Sequence, residues 1–216
     1  MLAGELRVEH TEKLGDVSIG LLAKDEMPAL LELLAKQKVS FAGYAGVSMH
    51  KLMCSDALRQ TGVVCLVVRI KGGLAGYVFA LIGPQAYWRN LCWRRPLLFA
   101  RILLAKMRKG GNDAAYPPAL PEELMHRMHF EDVKESWKDS SPELAKVQFI
   151  GVRAECEGMG IGGLLYRACF TELKRRGVKR VDAHVDASNV RSLWLHVNTG
   201  WTVHYHHDAA FAVRYL

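Results

Sequence analysis

Residues 147–176, VQFIGVRAECEGMGIGGLLYRACFTELKRR, constrain the fold of this chain more than any other stretch. A β-branched apolar run passes through a short polar turn into Gly158-Met159-Gly160-Ile161-Gly162-Gly163, and a helical pattern follows with no further glycine until Gly177. The order is strand, glycine loop, helix. Glycines let a backbone approach a ligand closely. The first N–H groups of a helix have no internal acceptor, and together with the positive end of the helix dipole they favour an anion bound at that end. A phosphate-bearing cofactor seated on residues 156–163 is the first expectation.

The rest of the chain sets limits on that reading. With 216 residues it can bury a core without covalent staples. The five cysteines, Cys54, Cys65, Cys92, Cys156 and Cys169, are odd in number and lack C-x-x-C spacing, so neither a disulfide framework nor a zinc site is expected. No N-terminal signal pattern is visible, and no apolar run reaches the ~18 residues of a membrane span, which leads to the expectation of a cytoplasmic protein. The formal net charge is +7, from 29 basic and 22 acidic residues. Between Trp88 and Lys109 stand seven basic residues (Arg89, Arg94, Arg95, Arg101, Lys106, Arg108 and Lys109) and no acidic one, and outside this stretch the two signs balance. The excess is therefore local, and a global nucleic-acid-binding reading loses its main support.

Ahead of the glycine loop, Val17–Leu22 reads as a short strand. Asp25 can cap a helix with Pro28 in its first turn, running to about Lys38, and a second short helix is expected over Ser48–Arg59. Val63–Ile70 and Leu74–Ile82, separated by Lys71-Gly72-Gly73, form a hairpin signal. Gly83-Pro84 closes that hairpin and opens an irregular insertion at about 84–145. On a helical projection from Pro96, Leu97, Phe99, Ala100, Leu103, Leu104 and Met107 share one side, and Arg94, Arg101 and Arg108 recur on the other. The plain reading is a surface helix with a solvated basic face. The functional readings are a peripheral membrane contact through 88–109 or an electropositive wall for an anionic substrate. After the loop come a helix at Gly163–Arg176, a strand at Lys179–Val185, a helix at Asn189–Asn198 and strands near Trp201–Tyr205 and Phe211–Tyr215. The expected fold is mixed α/β, with the hairpins favouring one mixed sheet.

Gly158, Gly160 and Gly163 satisfy the dinucleotide spacing G-x-G-x-x-G, with Asp182 near the place of a ribose-binding acid. The context is wrong for that fold: the loop sits late, and too few residues follow it to build further βα units. A Walker loop lacks its Gly-Lys-Ser/Thr. Val152, Ala154 and Glu157-Gly158-Met159-Gly160-Ile161-Gly162, followed at a distance by Asn189, Ser192, His196, Gly200 and Trp201, instead resemble the two ordered motifs of the GNAT superfamily of N-acetyltransferases.

That resemblance implies a single GNAT-like domain over 1–216 with a mostly antiparallel sheet flanked by helices and a basic helical insertion. It implies acetyl-coenzyme A bound where the strand at 147–152 splays from the strand at 179–185. By position, Glu157, Gly158, Gly160, Ile161, Gly162 and Gly163 form the pyrophosphate cradle, with Val152 on the pantetheine and Asn189 near the cofactor arm. Glu157 departs from the family's Arg or Gln, and a carboxylate beside a diphosphate is repulsive, so its side chain is expected to point away or to pair with a neighbour such as Arg153. His196 falls where many relatives carry a tyrosine that protonates the leaving thiolate. An imidazole can do the same, and the alternative is that His196 only packs.

The base is less visible. Alternation along VDAHVDASN puts Asp182, His184 and Asp186 on one side of a strand, so His184 or Asp186 can take the ammonium proton, unless both are simply solvated. Glu155 is a weaker candidate. The run His204-Tyr205-His206-His207-Asp208 does not complete a tetrahedral set and suggests the acceptor side rather than a metal. Cys156 has no Cys-His-Asp arrangement in support of covalent catalysis. The expected acceptor is a primary amine on a small molecule. The basic insertion favours an anionic one, such as an amino sugar derivative, with a non-catalytic acetyl-coenzyme A-binding protein as the competing class.

Overall fold

A computed structural model describes residues 16–36, 46–97, 100, 120–130, 141–206 and 209–216. Seven strands, β1 (Val17–Leu21), β2 (Val63–Ile70), β3 (Gly73–Ile82), β4 (Leu144–Val152), β5 (Arg180–Asp186), β6 (Thr202–His206) and β7 (Ala209–Tyr215), stand in the order β1-β2-β3-β4-β5-β7-β6. Of the ladders described, β4–β5 is parallel, and β1–β2, β2–β3, β5–β7 and β6–β7 are antiparallel. Helices with bounds among the described residues are α1 (Met27–Lys36), α2 (Gly46–Ala57), α3 (Pro84–Arg94), α4 (Glu122–Met125), α5 (Ile161–Arg175) and α6 (Val190–Asn198). This is the mixed, mostly antiparallel sheet flanked by helices that the sequence predicts. The chain forms two compact units, Met1–Leu81 with Phe149–Leu173 and Ile82–Gln148 with Lys174–Leu216.

In the first unit, β2 and β3 bury nearly every side chain, which is why both read as continuous apolar runs. Their turn uses positive φ at Lys71 and Gly72. Phe149 packs its ring against Phe79 and Tyr77 at centroid distances of 5.0 and 6.1 Å. Helix α5 buries Ile161, Leu164, Leu165, Tyr166, Ala168, Cys169, Phe170 and Leu173, the spacing of one helical stripe. Gly76 lets these layers close: a β-carbon there would stand 2.9 Å from the Gly151 carbonyl oxygen and 3.2 and 3.3 Å from Leu165 and Ile161. Glu26 accepts from the Arg69 guanidinium, including Nη2 at 2.7 Å, and so ties the turn before α1 to β2.

In the second unit, β5 alternates. Val181, Ala183 and Val185 are buried, whereas His184 and Asp186 are exposed. Val203 on β6 and Ala210 and Ala212 on β7 continue the buried face. Leu193 and Val197 of α6 and Leu124 of α4 are buried as well.

The insertion departs from expectation at its start. The chain does not merely close the hairpin at Gly83-Pro84: it enters α3 there, with Gly83 left-handed at φ 58° as the N-cap and Pro84 in the first turn, where a missing N–H costs nothing. The buried positions Pro84, Tyr87 and Leu91 are spaced three and four apart. Tryptophan, arginine and asparagine between them obscure that stripe in the sequence. The helix projected from Pro96 through Arg101 and Arg108 lies mostly outside the described residues. Strand β4 begins at Leu144 rather than Val147, because Leu144 and Ala145 are buried and pair with Arg180 and Val181.

Candidate functional site

The glycine loop belongs to the first unit. Past Val152, the Arg153 N–H donates to the Ala75 carbonyl at 2.8 Å, which holds the strand end to β3. A 3-10 turn at Ala154–Cys156 follows, and the Cys156 N–H donates to Arg153 O at 2.8 Å. Gly158 and Gly160 then take φ of 77° and 76°, where L residues are strained. A β-carbon built on either meets nothing within 4 Å, so the loop borders open space. Leu164 N–H donates to Gly160 O at 3.1 Å and closes the first turn of α5, whose opening N–H groups at Ile161, Gly162 and Gly163 have no α-helical acceptor. That first turn carries no acidic residue, and the last carries Lys174 and Arg175, so the charges follow the helix dipole.

Glu157 takes a different place from its neighbours. Its N–H already donates to Ala154 O at 3.2 Å, and its side chain is exposed. The Glu157 N–H is therefore already used within the turn. A loop bordering open space at a helix start suits an anion there, as the phosphates of coenzyme A would be.

The second unit holds the other candidates. The β4–β5 ladder runs from Leu144↔Arg180 to Val147↔Ala183 and ends there, whereas β4 continues to Val152 and β5 to Asp186. His184 and Asp186 are on the length of β5 past the ladder. His184 pairs in register with Phe211, Phe211 with His204, and His204 with His129. Residues paired across strands share a face. The four rings thus share one face of the sheet in register: His184 and Phe211 stack at 4.9 Å and 9°, and His204 and His129 lie 5.2 Å apart. His129 joins them because its N–H donates to Val203 O at 2.8 Å and its carbonyl accepts from Tyr205 N–H at 2.7 Å. One step along the register, Asp186 pairs with Ala209 and Ala209 with His206. Asp186 Oδ1 accepts from Ser188 N–H at 2.8 Å and Ser188 Oγ at 2.5 Å, which orients the carboxylate.

Asn189 caps α6: its side-chain oxygen accepts from Ser192 N–H at 3.0 Å, which is a physical reason for the Asn and Ser three apart in the second motif. His196 is 2% exposed, with Nδ1 2.7 Å from Ser192 O and its ring 5.1 Å from that of Trp201. A carbonyl only accepts, so Nδ1 carries the proton and Nε2 is the accepting nitrogen. Burial pushes the imidazole down to about 4 against the smaller opposing effect of the Ser192 bond. A ring held neutral at pH 7 has to take a proton before it can give one. Arg214 Nη1 donates to Thr199 O at 2.7 Å and Gly200 O at 2.6 Å and thereby pins the turn that delivers Trp201. His129, Phe211 and Arg214 are additions that the sequence does not signal, since strand register alone brings them to their places. Among the described residues no group of three or more His, Cys, Asp or Glu is placed to hold a metal ion. His207 and Asp208 lie outside those residues.

Residues 125–201 match the Acetyltransferase (GNAT) family. Solved structures agree along nearly the whole chain. The ribosomal-protein-S18-alanine N-acetyltransferase of Escherichia coli superposes with a TM-score of 0.56 at 12% identity, covering 93% of this chain and 94% of that one. The PaiA N-acetyltransferase of Thermoplasma acidophilum, in complex with coenzyme A, gives 0.57 at 12% identity and coverages of 93% and 99%. A Salmonella typhimurium structure with its cofactor acetyl-CoA gives 0.55 at 15% identity and coverages of 93% and 94%. No curated protein matches the sequence significantly. The protein has the GNAT acetyltransferase fold, and it carries the family's own sequence signature over residues 125–201.

Proposed function

We propose that this protein transfers an acetyl group from acetyl-coenzyme A to a primary amine by direct attack. The observation that carries the reading is the loop at Gly158–Gly160: two left-handed glycines bordering open space lead into a helix start with no acidic side chain. In this reading the N–H groups of Gly158, Gly160, Ile161, Gly162 and Gly163 hold the pyrophosphate, Glu157 forms the rim, Val152 lies along the pantetheine and Asn189 orients the start of α6 near the cofactor arm. Bound there, acetyl-coenzyme A supplies a thioester whose carbonyl carbon the amine attacks and whose sulfur leaves as thiolate.

The chain's task is proton movement. The amine must lose a proton before attack, and His184 or Asp186, exposed on β5, takes it directly or through water. Nε2 of His196 takes the second proton, released from the amine nitrogen as the amide forms, and passes it to the leaving thiolate. The acceptor we propose is an anionic small molecule, such as an amino sugar derivative, because seven basic residues and no acidic one fall between Trp88 and Lys109. Calorimetry with acetyl-coenzyme A, then thiol release across mixed amine acceptors, tests this. Binding together with turnover on an anionic amine supports the reading, and no binding at hundreds of micromolar cofactor overturns it. A second reading, a cofactor-binding protein without turnover, is favoured by the Glu157 carboxylate at the loop entrance and the neutral His196. Binding without release on any acceptor class would establish it.

A further inference from the structure

Helix α3 presents a face that neither the glycine loop nor the proton-moving residues use. It buries Pro84, Tyr87 and Leu91. Arg89 and Trp93 are one turn apart and two residues out of step with Tyr87 and Leu91, so the winding of the helix carries them to the opposite side. Trp93 is 83% exposed and Leu97, just past the helix, is 82% exposed. Arg89, Arg94 and Arg95 are exposed around them. Two large exposed apolar side chains and three exposed arginines within residues 89–97 ask for a partner that is apolar within and anionic at its surface. A lipid headgroup layer meets both conditions, since an indole sits at its boundary and guanidinium groups pair with its phosphates. Nucleic acid offers phosphates and a stacking face for Trp93 but no apolar phase for Leu97. Among the described residues no helix is long and apolar enough to cross a membrane, so a contact made by this face is peripheral.

We infer that the end of α3, residues 89–97, docks the protein on an anionic lipid surface, with Trp93 and Leu97 entering the headgroup boundary and Arg89 and Arg95 on lipid phosphates.

The test is sedimentation with vesicles of equal phosphatidylglycerol and phosphatidylcholine, at low and high salt, beside vesicles of phosphatidylcholine alone. The protein is expected to pellet with the anionic vesicles, less so as salt rises. Replacing Trp93→Glu and Leu97→Glu together should weaken pelleting about ten-fold or more. Both side chains are exposed, so the thermal melt and acetyl-coenzyme A binding should stay unchanged, and docking can therefore fail while the acetyl-transfer reading stands. An Arg89→Gln, Arg95→Gln variant, which keeps the apolar pair, should lose most of the preference for phosphatidylglycerol. The inference is overturned if the wild type stays in the supernatant at low salt, if the double glutamate variant pellets as well as wild type, or if duplex DNA or an acidic polypeptide retains the protein while vesicles do not.

Discussion

Strands β2 and β3 bury almost every side chain on both faces, whereas β5 alternates buried with exposed residues and shares one face with β7 and β6 in the register His184, Phe211, His204 and His129. The difference separates two kinds of residue. Between two covered faces a side chain is fixed by volume, and changing it is felt as stability. At exposed positions the same backbone ladder holds side chains that the core does not need. Exposed residues placed there, such as His184 and Asp186, can be changed at little cost in stability.

The contrast can be broken at several points. The largest effect is expected at Gly76→Val, where the new side chain would meet the Gly151 carbonyl and the α5 side chains; a loss of ~3 kcal/mol or more should show in denaturant unfolding. A loss near zero would mean that the layers of the first unit are loosely packed. Alanine at both Gly158 and Gly160 should cost ~1–2 kcal/mol of backbone strain at each position. That loss should be read mainly in calorimetry, as a ten- to hundred-fold weaker hold on acetyl-coenzyme A, and equal affinity would remove the loop from cofactor binding.

His196 makes the comparison pH-dependent. Its folded-state value of about 4 lies below the ordinary 6.5, so between those values the unfolded chain binds more protons and stability rises with pH. Stability should accordingly fall as pH drops from 6.5 through 4, by on the order of 2–3 kcal/mol, and His196→Phe should flatten that slope in thermal melts taken across the range. The same variant should lower turnover about ten-fold or more if the ring relays a proton, and unchanged turnover would leave His196 with packing alone. The smallest stability effect is expected at His184→Ala, within ~0.5 kcal/mol because the side chain is exposed. In that variant the rate above neutral pH should drop while acetyl-coenzyme A affinity holds. A variant that melts early would instead make these rings part of the fold.

Much of the first unit was legible because its signals are local. Continuous β-branched runs, the Lys71-Gly72 turn and the glycine loop before α5 each state their structure within a few residues. The second unit was legible in part. Alternation along β5 correctly separates His184 and Asp186 from Val181, Ala183 and Val185, and the spacing of Asn189 and Ser192 marks the start of α6. Helix α3 was not legible, since only three of its positions are buried and polar residues stand between them.

The sequence by itself determined the strands and most of the helices outside the insertion, and the glycine loop ahead of α5. Periodicity and backbone freedom are properties of neighbouring residues. Tertiary structure alone decided that His129, from a short segment after α4, joins His204, Phe211 and His184 on one face, and that Arg214 pins the turn before Trp201. It also decided that His196 is sealed from water and held neutral. Register between distant strands and the dielectric around a buried ring depend on residues far away along the chain, and no local pattern encodes them.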